Sequence, residues 1–202
     1  TESSTRPLDE KLDRCRRWYA ERGLPLLFRI TPAVEAGLED GLDERGFAAE
    51  GRTIVMAQSV VPTGAQPSEA RIGVSPSGRW IAAELELAGV DPVQAAGWLA
   101  VMKRLPDPAG FALLRSGDTP VAAGVGVVIG GWLGVFEVVV DPDRRRRGHG
   151  RLLMEALHAW GAERGAQRSF LQVVVENRAA IGLYEDLGYE EAYRYWYRRD
   201  PG

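Results

Sequence analysis

The stretch VAAGVGVVIGGWLGVFEVVVDPDRRRRGHG, residues 121–150, passes from wholly apolar to strongly basic. One reading is a membrane anchor with a basic stop signal behind it. The other is a pair of strands feeding a phosphate-binding loop. From Val121 to Phe136 run sixteen uncharged residues, short of the roughly 18 to 20 that a spanning helix needs. Glu137 then interrupts, at about 3 kcal/mol for a charge near mid-bilayer. Five glycines lie inside the run, and the pair Gly130-Gly131 stands between β-branched Val127, Val128 and Ile129 on one side and Val135 on the other. That pattern predicts strand, tight turn, strand, a buried β-hairpin. Asp141 and Pro142 close the second strand, because proline lacks an N–H donor and biases its predecessor away from helix.

Beyond the hairpin, Arg145-Arg146-Arg147-Gly148-His149-Gly150 leads into a segment where Leu153, Leu157 and Trp160 recur at helical spacing, with Leu152 and Ala156 beside them. A glycine-bearing loop between a strand and a helix suits a phosphate. The free N–H groups and positive dipole end of a helix's first turn converge there, and glycine admits an oxygen without a Cβ in the way. The competing reading is a solvated arginine run, since arginine is the default cation and lysine occurs only at 11 and 103.

Composition narrows the class. A chain of 202 residues suffices for one large domain or one domain plus a fragment. Twenty-five basic against 28 acidic residues leave a net charge of -3, so no global field draws in nucleic acid or an anionic membrane. Cys15 is alone and the histidines are His149 and His158, which predicts a reducing, cytoplasmic setting with no intrachain disulfide and no structural metal. TESSTRPLDE shows no secretory pattern, and the chain opens on Thr1 without an initiator methionine, as a trimmed chain or a piece of a longer parent does.

VVVDPDRRRRGHGRLL resembles the acetyl-CoA loop of the GNAT superfamily of N-acetyltransferases, whose core pattern is Q/R-x-x-G-x-G/A; Arg145, Gly148 and Gly150 fill the fixed positions. Downstream, SFLQVVVENRAAIGLYEDLGYEEAYRYWYR, residues 169–198, reads as a strand, a short helix from about Arg178 to Leu187 ended by Gly188, and an aromatic strand pair over Tyr189–Tyr197. It resembles the closing half of the GNAT fold, in particular the ribosomal-protein N-terminal acetyltransferase branch. Upstream, a strand at Ala70–Val74, helices near 79–88 and 92–104, a strand at 110–115 and a turn at Asp118-Thr119-Pro120 complete that order. The fold expected is therefore α/β (α+β), a GNAT fold with a mixed central sheet and helices on both faces.

The resemblance implies acetyl-CoA as cosubstrate, with the strands around 135–140 and 169–174 splayed to admit its pantetheine arm. It places the backbone of Val138, Val139 and Val140 along that arm. It puts Arg145, Arg146, Arg147, Gly148, His149, Gly150 and Arg151 around the pyrophosphate, and Asn177 on the pantetheine chain. Tyr184 matches the general acid that protonates the departing thiolate; read by itself, a Leu-Tyr pair on an amphipathic helix is a packed tyrosine. The branch usually has a glutamate where this chain has Gln172, and an amide takes no proton. Glu137, in a strongly apolar strand, is the acidic substitute, against the reading of a surface or paired strand glutamate.

Sliding the chain against itself by 142 sets Trp18, Ala20, Glu21, Arg22, Gly23, Phe28, Gly46 and Arg52 on Trp160, Ala162, Glu163, Arg164, Gly165, Phe170, Gly188 and Arg194, with Phe47 on Tyr189. Glu35 falls on Asn177 and Leu42 on Tyr184, so the copy lacks the chemistry. Residues 1–60 are expected to be a degenerate, non-catalytic GNAT half-domain, 61–69 a linker and 70–202 the catalytic domain. Actinobacterial-type tandem GNAT proteins, some labelled N-acetylglutamate synthases, are similar in layout. The activity expected is N-acetyl transfer to a primary amine in a ternary complex. The acceptor is a small molecule or an amino acid such as glutamate, or in the alternative a protein or peptide N-terminus, and a homodimer is a candidate assembly. Rival classes are a non-catalytic acyl-CoA binding module and a nucleic-acid binder using Arg144–Arg147. The acidic net charge and the lack of interleaved aromatics disfavour the second.

Overall fold

The computed structural model describes residues 6–59, 67, 69–91, 93 and 95–202. In chain order these form α1 (Leu8–Ala20), β1 (Leu27–Ile30), α2 (Leu38–Asp43), β2 (Ala48–Ser59), β3 (Ala70–Gly73), α3 (Gly78–Ala88), α4 (Ala96–Met102), β4 (Ala109–Ser116), β5 (Thr119–Ile129), β6 (Trp132–Val140), a 3-10 turn (Pro142–Arg144), α5 (His149–Glu163), β7 (Arg168–Val174), α6 (Arg178–Asp186) and β8 (Glu190–Arg199). Most of the expected linker, 61–66 and 68, lies outside the described residues, as do Thr1–Thr5 and the start of the helix expected from 92.

The chain divides into two compact units. One comprises Thr1–Val55, Val173–Asn177 and Glu191–Gly202; the other comprises Met56–Gln172 and Arg178–Glu190. In the first unit β1 pairs antiparallel with β8, Leu27 opposite Arg199 through Ile30 opposite Trp196. Leu12, Leu26, Ile30, Leu42 and Phe47 form its core, with Phe28 and Trp196 packed against them. The strand pair expected over Tyr189–Tyr197 is one continuous strand, β8. The stretch has no glycine, proline, asparagine or aspartate to turn the chain, so it stays extended.

In the second unit β3, β4, β5 and β6 follow one another as antiparallel neighbours, and β6 then pairs parallel with β7. The turn expected at Asp118–Pro120 falls one step earlier, at Gly117-Asp118, where Gly117 takes φ +59 and Ser116 faces Thr119. At the hairpin tip Gly130 and Gly131 have φ +55 and +78, the sign a two-residue type I′ turn demands of both. Helices cover both faces. On one face α5 comes so close that a Cβ on Gly110 would stand 2.6 Å from Trp160, and one on Gly126 would stand 3.2 Å from Leu157. On the other face Trp80 and Ala83 of α3 and Met102 of α4 bury against Phe111, Ala123, Val125 and Val127. Alternation along β5 thus gives glycines to α5 and branched side chains to α3 and α4.

Candidate active site

β6 and β7 pair only from Trp132 opposite Arg168 to Val135 opposite Leu171. Past that point β6 continues to Val140, held by β5 through Val125–Phe136, Ala123–Val139 and Ala122–Val140. Between those pairs β5 advances from 125 to 123 while β6 advances from 136 to 139, so β6 carries one extra residue, a β-bulge. Glu137 occupies it at φ +52, a backbone region that costs a non-glycine residue about 1 kcal/mol or more. The bulge also resets the faces. Leu133 meets Gly161 and Gly126 on the α5 side, and in a regular strand Glu137 would follow it there. Instead Val138 takes the α5 side, near Gly124, while Phe136 and Val139 pack with α3 and α4. Glu137 accepts a hydrogen bond from Trp98 Nε1 on α4 at 3.1 Å.

The loop that follows is built by its own chemistry. Asp141 accepts the Asp143 N–H at 3.0 Å and pairs with Arg144 at 3.3 Å, which occupies Arg144 in turning the chain. Arg145, Arg146 and Arg147 are exposed. Arg146 (φ +62) and Gly148 (φ +82) are left-handed, and Gly148 is the residue before α5, which starts at His149. Successive N–H groups bent this way and a fresh helix N-terminus together make an anion-binding concavity. Gly150 serves a different purpose from Gly148. A Cβ on it would stand 2.9 Å from Leu183 Cδ2 and 3.6 Å from Val140 Cγ2, so its missing side chain lets α6 and the end of β6 close on the first turn of α5. Arg151 reaches Asp186 of α6 at 3.7 Å.

Tyr184, one residue on from Leu183, is buried, and burial pushes its phenol up to about 12. Its ring stands 6.0 Å from that of Tyr189. The Tyr189 hydroxyl shares hydrogen bonds with His158 Nε2 at 2.7 Å and Ser169 Oγ at 2.6 Å, and Gln58 Nε2 lies 3.0 Å from the same histidine nitrogen. Burial lowers His158 to about 4, so the imidazole is neutral at physiological pH. Asn177 sits in the turn before α6, its N–H donating to the Val174 carbonyl at 3.0 Å. Gln172 is exposed near the end of β7. The fold therefore brings the loop, the end of β6 and the helix of Tyr184 together around the start of α5, while Glu137 turns to the opposite face.

Two groups on that face carry no sequence motif, Trp98 and Glu84. Glu84 is 3% exposed, and burial first, then the negative charge of Glu137, raise its carboxyl to about 8. The available signal was its place one turn after Trp80 on the apolar stripe of α3.

A sheet whose strands part beside a glycine loop and a helix N-terminus defines the GNAT class of N-acetyltransferases, acyltransferases that use acetyl-CoA, and comparison with known proteins agrees. The chain belongs to the family described as "Probable histone acetyltransferase Rv0428c C-terminal", which matches residues 3–198. It is similar to the uncharacterized N-acetyltransferase YobR of Bacillus subtilis (strain 168), at 29% identity over 186 residues, 90% of this chain and 75% of that protein. A 58-residue stretch is 48% identical to the ribosomal protein bS18-alanine N-acetyltransferase of Salmonella typhimurium, covering 29% of this chain and 39% of that enzyme. Among solved structures, a GCN5-related N-acetyltransferase from Kribbella flavida has the same fold, with a TM-score of 0.69 and 23% identity over 95% of this chain and 74% of that one. Among the described residues no helix is long and apolar enough to cross a membrane, and no cluster of metal-ligating side chains occurs.

Proposed function

We propose that the chain moves the acetyl group of acetyl-CoA directly to a primary amine in a ternary complex, in a cytoplasmic setting. One observation carries the reading: β6 loses β7 after Val135, and its free run ends at Val140 against the first turn of α5, where the left-handed loop opens. The loop backbone from Arg146 to Arg151 would hold the pyrophosphate, with Arg145 at its rim. The backbone of Val138–Val140 would pair with the pantetheine. The neutral amine attacks the thioester carbon, the C–N bond forms and the C–S bond breaks. A backbone N–H on the open side of β6 would polarise the acetyl oxygen; of Val139 and Val140 it is that of Val140, since the Asp141 N–H, and with it by alternation that of Val139, is turned to β5. Tyr184 would serve the sulfur as acid. With its phenol at about 12 and an ordinary thiol near 8.5, complete transfer is uphill, so its main contribution is a hydrogen bond to sulfur as charge develops. Glu137 takes a proton from nitrogen in place of the absent glutamate at Gln172.

Residues 1–60 are read as the degenerate closing half of a second GNAT domain, 61–69 as the linker and 70–202 as the catalytic domain. Support comes from the 142-residue offset, which carries α1, β1, α2 and β2 onto α5, β7, α6 and β8. The helix ends repeat as well. Leu24 N–H bonds the Tyr19 carbonyl as Ala166 bonds Gly161, and Phe47 bonds Leu42 as Tyr189 bonds Tyr184. Arg22 lies over Trp18 as Arg164 lies over Trp160.

Titration calorimetry with coenzyme A, followed by thiol release from acetyl-CoA with a panel of amines, tests the function. Amine-dependent thiol release is the expected result. Coenzyme A binding without it would reduce the protein to an acyl-CoA binding module, and no binding at all would refute both.

A further inference from the structure

The buried stripe of α3 is Trp80, Ala83 and Glu84, with Leu87 packed beside it. Three members are apolar, and the fourth is a carboxylic acid whose Oε2 is buried without a hydrogen-bond partner. A buried carboxyl left unpaired is destabilising, and among the described residues the charge that acts on it is Glu137, of its own sign. Neither α4 (AGWLAVM) nor β5 (TPVAAGVGVVI) carries a charged side chain. On β4 the charged residue is Arg115, engaged by the Asp118 carbonyl and carboxylate. From β6 the facing charge is Glu137, of the same sign. A strained bulge turns that second carboxylate to the α3–α4 face, where it meets Trp98. Trp98 in turn stacks on Trp80, the ring centroids 5.8 Å apart and the planes inclined by 13°. Glu137 is exposed and Glu84 is buried, so the pair has an open side and a closed side.

We propose that Glu84, Glu137 and the stacked Trp80–Trp98 indoles form the seat of the acceptor's ammonium group, so that the acceptor is a cationic primary amine with no free carboxylate on its amine-bearing carbon. The assignment rests on the acetyl-transfer reading above. Carboxyls beside aromatic rings favour a cation, and a carboxyl that burial and a neighbouring carboxylate already make costly to ionise disfavours the further negative charge of a free α-amino acid. A peptide N-terminus, an amino-acid amide or an alkylamine lacks that carboxylate. In the free protein Glu84 holds a proton up to about pH 8; an arriving ammonium supplies a counter-charge. Two protons leave the nitrogen over the reaction. One balances the thiolate as coenzyme A leaves as the thiol, and the other passes by way of Glu137, the exposed carboxyl, to solvent.

The test uses the full chain, with glycine against glycinamide, alanine against alaninamide, and butylamine. Tryptophan fluorescence measures binding and thiol release measures turnover, for the wild type, E84Q and E137Q. Wild type should bind and turn over the amides and butylamine at least 10-fold better than the free acids. E84Q should raise Kd and KM for glycinamide about 10-fold with a smaller change in kcat, leave coenzyme A affinity unchanged, and cut the amide-to-acid ratio to under about 3-fold. Because the ratio is compared between variants on the same substrates, differences in amine basicity cancel. An unchanged Kd, KM and ratio in E84Q overturns the seat even if acetyl transfer proceeds. Absent turnover with every amine refutes the acetyl-transfer reading instead, and the fluorescence titration of glycinamide still decides the seat: a 10-fold weakening in E84Q sustains it and equal binding ends it.

Discussion

Glu84→Gln should make the protein more stable at neutral pH, and by an amount that depends on pH in a defined direction. In the folded chain the carboxyl titrates at about 8 instead of its model-compound value of 4.5, because it is buried beside Glu137. Below pH 4.5 folded and unfolded chains both carry the proton, and its stabilisation of the fold is complete. Above 4.5 the unfolded chain releases the proton while the folded chain keeps it, so stability falls until pH 8. At about 1.4 kcal/mol per pH unit, the loss between pH 4.5 and 7 is about 3 kcal/mol. Glutamine has nothing to lose. The stability difference, E84Q minus wild type, should therefore grow by about 3 kcal/mol over that interval, which is about 6–12 °C in Tm for a chain of this size. His158 runs the other way, because its depressed value of about 4 costs stability as pH falls through 6.5, but both proteins contain it and it drops out of the difference. Urea melts at half-unit steps from pH 4.5 to 8.5 provide the measurement. A difference that stays flat with pH would show that Glu84 ionises freely in the folded chain, and the buried seat would lose its physical basis.

Tyr184→Phe removes one hydroxyl and should lower kcat about 10 to 1,000-fold while calorimetry finds coenzyme A affinity intact; an undiminished kcat would strip Tyr184 of its role at the sulfur. Gly148→Val forces a β-branched residue to φ +82 and should weaken coenzyme A at least 10-fold, whereas Arg144→Ala, which loses a pair with Asp141, should change affinity less than 3-fold. Equal affinities in the two would refute the backbone cradle. Gly150→Asp is a poorer probe, since the new Cβ strikes Leu183 and loss of binding would report packing. Leu42→Ala empties a fully buried site beside Phe47 and Leu12 and should cost about 2–5 kcal/mol of stability. Coenzyme A affinity measured below the melting range should be unaltered, and a selective loss of that affinity would contradict a purely structural role for residues 1–60.

The hairpin, the glycine loop and the helix behind it were legible in residues 121–160 because each depends on neighbours in sequence. Paired glycines set the turn, proline ends the strand, and apolar spacing sets the helix. The offset of 142 was legible for the same reason, since capping glycines and Trp–Arg pairs one turn apart are local signals. What long-range pairing decided was out of reach. Whether a strand has one residue too many is defined only against its partner, so the register with β5, and not the sequence of β6, turns Glu137 away from α5. Glu84 looks like any helix glutamate until β5 and β6 choose which side of α3 is buried. Gly150 belongs to the loop pattern in sequence, yet its lack of a side chain answers to Leu183, thirty-three positions away along the chain. Local structure follows from torsional preference and hydrophobic period, which act over a few residues. The face a carboxylate presents, and the water it loses, are set by segments that meet only when the sheet closes.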